Sequence, residues 1–130
     1  PASYQKQNED VTGFRIVLTQ STLPTETISA LRNRFAALGF LIIEMTADEH
    51  DRQLAEILFL THYISQTILK AGYRRTTMDT VSFQFLMDAV ESVQNDTALF
   101  ADVYRFNPYC KAVVERLSQA QGQVFEKTES

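Results

Sequence analysis

A chain of 130 residues has the length of one domain, and 45% apolar with 22% charged residues is the composition of a folded globular protein rather than a disordered tail. Twelve Lys and Arg against sixteen Asp and Glu leave a formal charge of −4, the wrong sign for a sequence-blind nucleic-acid surface, and no apolar run is long enough for a membrane span. The single cysteine, Cys110, excludes a disulfide framework, and its free thiol makes the cytoplasm the expected compartment. The polar opening, Pro1 to Asp10, is not a signal peptide, and a start without methionine fits a processed product or an expressed fragment.

In chain order, Gly13 to Gln20 (GFRIVLTQ) predicts a strand, and Phe40 to Thr46 (FLIIEMT) predicts a second. Between them Ile28, Leu31, Phe35 and Leu38 recur at helical spacing, with Pro24 suited to the first turn and Gly39 to the stop. A strand, helix, strand unit of this kind joins parallel strands, and two strands alone are marginal. The unit is therefore expected to end a larger sheet or to be completed by a partner.

From Thr46 onward the pattern is helical. Thr46 and Glu49 make a capping box. The helix that follows runs to about Ala71, stopped by Gly72, and Leu54, Ile57, Leu58, Ile64, Ile68 and Leu69 cover more than one stripe, as in a buried central helix. Phe83, Leu86, Met87, Val90 and Val93 mark a second helix of this region, and Leu99, Phe100 and Val103 a shorter third. A last helix is expected to begin at Asn107-Pro108 and to carry the stripe Tyr109, Val113, Leu117, Ala120 and Val124, suited to another helix. Residues 126–130 are expected to fray.

Two histidines, His50 and His62, anchor the search for chemistry. His62 lies mid-helix among apolar neighbours, where a hydrogen-bonded core histidine is one reading. The other is that Thr61, His62 and Ser65 grip a carboxylate or hydroxyl beside the helix. His50 stands twelve residues from His62, not one turn, so the metalloprotease spacing is missing and no metal is expected. Cys110 reads as a small buried hydrophobe rather than a nucleophile. Asp88 and Glu91 share a helical face, either as solvated surface or as an acidic contact to an amine or to Arg74-Arg75. The four glycines are too far apart to write a phosphate-binding G-x-G-x-x-G or P-loop.

The order GFRIVLTQ, then ALGFLIIEMTADEHDRQLA, then FLTH resembles the prephenate and arogenate dehydrogenase family, as does the later TVSFQFLMDAVESVQNDTALFADVYRFNP. The resemblance covers Gly13 to about Leu117. The resemblance implies a mainly α fold: a C-terminal helical dimerisation domain (47–130) preceded by a β-α-β remnant (1–46) of a nucleotide-binding, Rossmann-like domain. It also implies NAD- or NADP-dependent oxidative decarboxylation in tyrosine biosynthesis by the complete enzyme. The family's His-Pro general base and glycine fingerprint are not in this sequence, so no catalytic residue and no bound cofactor are expected in this chain alone.

By the same resemblance His62, with Thr61 and Ser65, stands at the substrate cleft, and Phe100 lines it from the short helix. Asp51 and Arg52 belong to the junction between domains. Glu91 occupies the place of a carboxylate-binding arginine in the prephenate-specific pattern, and Ala89-Val90-Glu91-Ser92 is closer to the arogenate-type pattern. A carboxylate there would repel a second substrate carboxylate and attract an ammonium group. The expected partners are a second copy of the chain and prephenate or arogenate, with neither nucleic acid nor membrane. The alternatives are a free-standing helical interaction or ligand-sensing module, and the helical domain of a different hydroxyacid dehydrogenase.

Overall fold

The structure, a computed structural model, describes residues 12–19 and 22–130; the polar opening segment and the end of the first predicted strand, Gln20, lie outside the described residues. The fold is mainly helical, with a small two-stranded parallel sheet before most of the helices. The chain divides into two compact units, 1–50 and 51–130.

In the first unit, strand β1 (Arg15–Leu18) is followed by helix α1 (Thr25–Ala37) and strand β2 (Leu41–Glu44). The strands pair in parallel, with Arg15 opposite Leu41 and Leu18 opposite Glu44, as the crossover rule requires. Pro24 stands one residue earlier than expected, as the N-cap, where its fixed φ of −55° leads into the helix. Gly39 reverses the chain at φ +94°, and a Cβ there would lie 3.1 Å from the Thr12 backbone, so the turn demands glycine. Phe35 and Phe40 meet edge to face across that turn, with centroids 5.9 Å apart, and Arg32 pairs with Glu44. No residue of α1 is fully buried, and Val17 and Leu41 are exposed. The unit thus has open apolar surface, as a short sheet must.

Helix α2 (Ala47–Leu54) opens with the expected capping box: the Thr46 N–H donates to Glu49 Oε2 and the Glu49 N–H to Thr46 Oγ1, both at 3.1 Å. It passes without a break into a π-helical turn (Ala55–Phe59) and then α3 (Leu60–Lys70). This long helix is central, but its fully buried positions are Ala55, Phe59, His62 and Ser65. The apolar set read from the sequence flanks them; Leu54, Leu58, Ile64, Ile68 and Leu69 are half-buried and Ile57 is exposed. Spacing alone overweights large aliphatic residues and misses the small and polar ones that sit deepest. Gly72 ends the helix at φ +88°.

Helix α4 (Val81–Val93) starts at Thr80, whose hydroxyl accepts the Phe83 N–H, and buries Met87 and Val90. Helix α5 (Thr97–Phe106) and helix α6 (Cys110–Glu129) follow. The last helix begins two residues after Pro108, yet Asn107 still serves its start: Oδ1 accepts the Tyr109 N–H at 3.0 Å, while Nδ2 donates to the Asp51 carbonyl at 2.6 Å. Residues 126–129 are helical rather than frayed, because neither Gly nor Pro follows to break the ladder and the Ser130 N–H still reaches the Glu126 carbonyl.

The core of the second unit gathers on the π turn. Ala55, Phe59 and Cys110 are fully buried, with Tyr63, Phe100, Val103, Tyr109, Val113 and Val114 packed around them. Phe59 stacks on Phe100 at 5.2 Å and 5°, and also touches the rings of Tyr63 and Tyr104. Phe59→Ala is expected to lower the unfolding free energy by about 3–5 kcal/mol in urea titrations, whereas Met78→Ala, at a site 87% exposed, should change it by less than about 0.5 kcal/mol.

Candidate functional site

His62 projects from the first turn of α3, directly after the π turn, a helical irregularity that recurs at functional sites. Its imidazole is 2% exposed and lies nearly parallel to Phe100, with centroids 6.2 Å apart. Nδ1 is buried and finds no hydrogen-bond partner among the described residues. A core histidine of the ordinary kind is satisfied. An orphaned imidazole nitrogen beside an aromatic face instead holds a free polar contact for an incoming group.

Beside it, Tyr63, Gln66, Thr67, Leu69, Lys70, Ala71 and Phe100 line an open groove of about 740 Å³, within the range of small-molecule sites. Gln66 Nε2 is a second buried nitrogen without a partner. The residues read from sequence therefore divide. The structure brings His62 and Phe100 together, and Phe100 into the groove. Ser65 is buried on the same helical face as His62. Thr61 is exposed, and its hydroxyl donates to the Ile57 carbonyl at 2.7 Å, so its proton is committed within its own helix.

Glu91 is engaged elsewhere. Both its carboxylate oxygens accept from Arg75, Nε to Oε1 at 2.7 Å and Nη2 to Oε2 at 2.9 Å, while Nη2 also donates to Asp88 at 2.6 Å. The arginine contact read from the sequence is present, and both carboxylates also remain exposed to solvent. The Arg75 hydrogen bonds hold the Glu91 carboxyl below its ordinary value, and the two carboxylates raise the guanidinium further. Cys110 lies in the core, its Sγ 3.7 Å from the Val103 carbonyl, and burial pushes its thiol up, away from the reactive thiolate. Among the described residues no His, Cys, Asp and Glu group is arranged to hold a metal ion, and no helix is long and apolar enough to cross a membrane.

Sequence reading missed Gln66, Tyr63 and Lys70. The signal was present for Gln66, four residues after His62 and hence on its face, but a glutamine near a helix end reads as surface.

Residues 67–129 match the family model described as TYRAAT1-like, C-terminal domain. The chain is 30% identical over 83 residues to Arogenate dehydrogenase 2, chloroplastic, from Arabidopsis thaliana, covering 63% of this chain and 23% of that protein. It is 30% identical over 87 residues to Arogenate dehydrogenase 1, chloroplastic, from the same plant, covering 66% of this chain and 14% of that protein. The chain is thus similar to a TYRAAT1-like C-terminal domain and to part of two arogenate dehydrogenases. The matched part spans less than a quarter of either relative.

The Arg75 cluster makes an acid-side prediction. Because the folded Glu91 carboxyl titrates below its ordinary value of 4.5, the stabilisation from this contact is complete above that value and disappears as pH falls through the lower folded one. Melting temperatures recorded from about pH 6 down to about pH 2 should drop in acid, and Glu91→Gln should flatten that part of the curve.

Proposed function

We propose that this chain is the substrate-holding, dimer-forming C-terminal part of an NAD(P)-dependent arogenate dehydrogenase, which oxidatively decarboxylates its substrate in tyrosine biosynthesis. The observation that carries this reading is the buried, unpartnered His62 Nδ1, on a ring stacked beside Phe100, which itself lines the groove. The names of both relatives support the substrate. In this reading the His62 imidazole makes a hydrogen bond to a polar group of the bound substrate, and Phe100 offers a flat face to its ring and keeps water from that side. Ser65 and Thr61 belong to the same stretch of helix, with Thr61 limited to accepting.

Preference for arogenate over prephenate rests in this reading on the names of both relatives, since Asp88 and Glu91 bind Arg75 and do not line the groove. The residues of this chain do not fit a dinucleotide's pyrophosphate. The link from β1 to α1, residues 19–24, contains no glycine, and the four glycines of the chain form no fingerprint. The chemistry a nicotinamide supplies, hydride acceptance, belongs in our reading to the complete enzyme, as does the general base. The lone buried thiol supports a reducing compartment, for which we take the cytoplasm; both relatives carry the word chloroplastic in their names.

The test uses the complete enzyme, assayed with arogenate and prephenate and with NAD and NADP. Arogenate should be oxidised, and His62→Asn should lower kcat/KM about 10- to 100-fold, the range for a hydrogen bond to a charged group. Oxidation of neither substrate would overturn the reading and favour a ligand-sensing module.

The dimer rests on a second observation. Ile57, Leu60, Val113, Leu117 and Ala120 line one groove along α6, and Leu117, Ala120, Val124 and Phe125 line the next, with Val124 and Phe125 each 66% exposed. This apolar stripe, flanked by the Arg116–Glu56 pair and by Gln121, Thr128 and Glu129, suits the same stripe of a second copy. Sedimentation equilibrium at micromolar concentration should give a dimer, and Leu117→Glu with Val124→Glu should give a folded monomer.

A further inference from the structure

The chemistry of the groove goes beyond His62 and Phe100. Three polar side chains besides the Tyr63 hydroxyl line it: Gln66, Thr67 and Lys70. Thr67 has already committed its hydroxyl proton to the Tyr63 carbonyl at 2.8 Å. Gln66 keeps a buried amide nitrogen with no acceptor, one turn beyond the unpartnered His62 Nδ1 on the same helical face. Two orphaned nitrogens within one turn are costly to a fold unless a ligand supplies what they lack. Lys70 adds a positive charge at the end of α3, and no carboxylate lines the groove. The remaining walls, Tyr63, Phe100, Leu69 and Ala71, are flat or apolar.

The negative end of the α3 dipole would oppose an anion here. Its last carbonyls are occupied, however. Those of Thr67, Ile68 and Leu69 accept from the Ala71, Tyr73 and Gly72 amides, and the guanidinium of Arg74 lies 3.4 Å from the Leu69 oxygen. The groove is left with donors and a cation facing an aromatic wall.

We propose that Gln66 and Lys70 read the carboxylate of a small ring-bearing acid in this groove, and so are specificity-determining residues of the site. The class of ligand follows from the groove itself; its identity as arogenate rests on the function proposed above. The amide of Gln66 donates to one carboxylate oxygen, the ammonium of Lys70 compensates the charge at the rim, and the ring lies against Phe100 and Tyr63.

The experiment uses the 130-residue chain, 15N-labelled. It is titrated with L-arogenate, with 3-phenylpropionate, which has a ring and a carboxylate but no ammonium, and with neutral 3-phenyl-1-propanol. The acids should shift amides at 63–71 and Phe100. Gln66→Leu and Lys70→Gln should each weaken them about ten-fold or more and leave the alcohol unaffected. Gln66→Leu should also melt at the same temperature or higher, because it removes an unsatisfied donor, a result that a purely structural glutamine would not give. Equal binding of acid and alcohol, or shifts confined to other residues, would overturn the proposal. So would a Gln66→Leu chain that melts lower and binds the acids unchanged.

The two readings fail separately. Gln66-dependent binding of phenylpropionate without binding of arogenate would keep this inference and overturn the proposed substrate. Arogenate oxidation by the complete enzyme with KM unmoved by Gln66→Leu would overturn this inference alone.

Discussion

The second unit depends on one aromatic contact, the near-parallel stack of Phe59 on Phe100. Phe59 sits on the π turn of the long helix and Phe100 on α5, so the stack ties the central helix to the short one. Beyond the area it buries, such a pair contributes about 0.5–1.5 kcal/mol. Its larger consequence is positional. Phe100 also lies nearly parallel to the His62 ring and lines the groove. The same side chain therefore closes the core and forms the wall of the site. Cys110 and Ala55 complete this core with small side chains that allow α6 to approach the π turn.

Around that stack, polar joints fix what the apolar contacts leave loose. Asn107 links the α5–α6 corner to the Asp51 carbonyl while its Oδ1 accepts the Tyr109 N–H just before α6, two tasks for one buried amide. Arg75 spans from the loop after α3 to two carboxylates on α4 through charge-assisted bonds, and α3 and α4 pack closely. The loop between them is also held locally by Asp79, which accepts from the Thr76 amide and hydroxyl. The groove thus lies against a helix whose end is secured by hydrogen bonds, although most of the groups that make them face solvent.

Much of this architecture was legible in the sequence because the signals were local and had one physical solution. T-x-x-E before a helix, glycine after one, and two β-branched runs flanking a helical stripe each specify their structure with little competition. Depth was harder to read. The pattern gave the right helix but ranked Leu and Ile above Ala55, Ser65 and His62, since residue type tracks burial only on average. The π turn left no trace, because Ala55, Phe59 and His62 recur at spacings an α-helix also satisfies. For the site, His62 and Phe100 followed from resemblance, and the structure brought them together. Gln66 shares the face of His62 but reads as surface, and Lys70 carries no signal, because only the three-dimensional path of α5 reveals that their side of α3 faces a groove. Glu91 reads as lying on an acidic face with Arg74-Arg75 as one of its possible contacts; Arg75, sixteen residues upstream, is the partner found, a choice that no helical periodicity encodes.

The π turn also gives the central helix a phase. A π turn accommodates more residues than an α turn before it closes, so the side chains that follow are rotated relative to those that precede it. Straightening residues 55–59 into regular α geometry with all five retained would swing His62, and every residue after it on α3, by about 100° around the axis, away from Phe100. Straightening them with one residue deleted would leave His62 facing much as it does, because a π turn takes about one residue more than an α turn to sweep the same angle. With five residues here, the regular α ladder and the direction of His62 thus favour different backbone geometries. The segment Ala55–Phe59 acts as a spacer whose winding, more than its composition, decides which face of the helix carries His62.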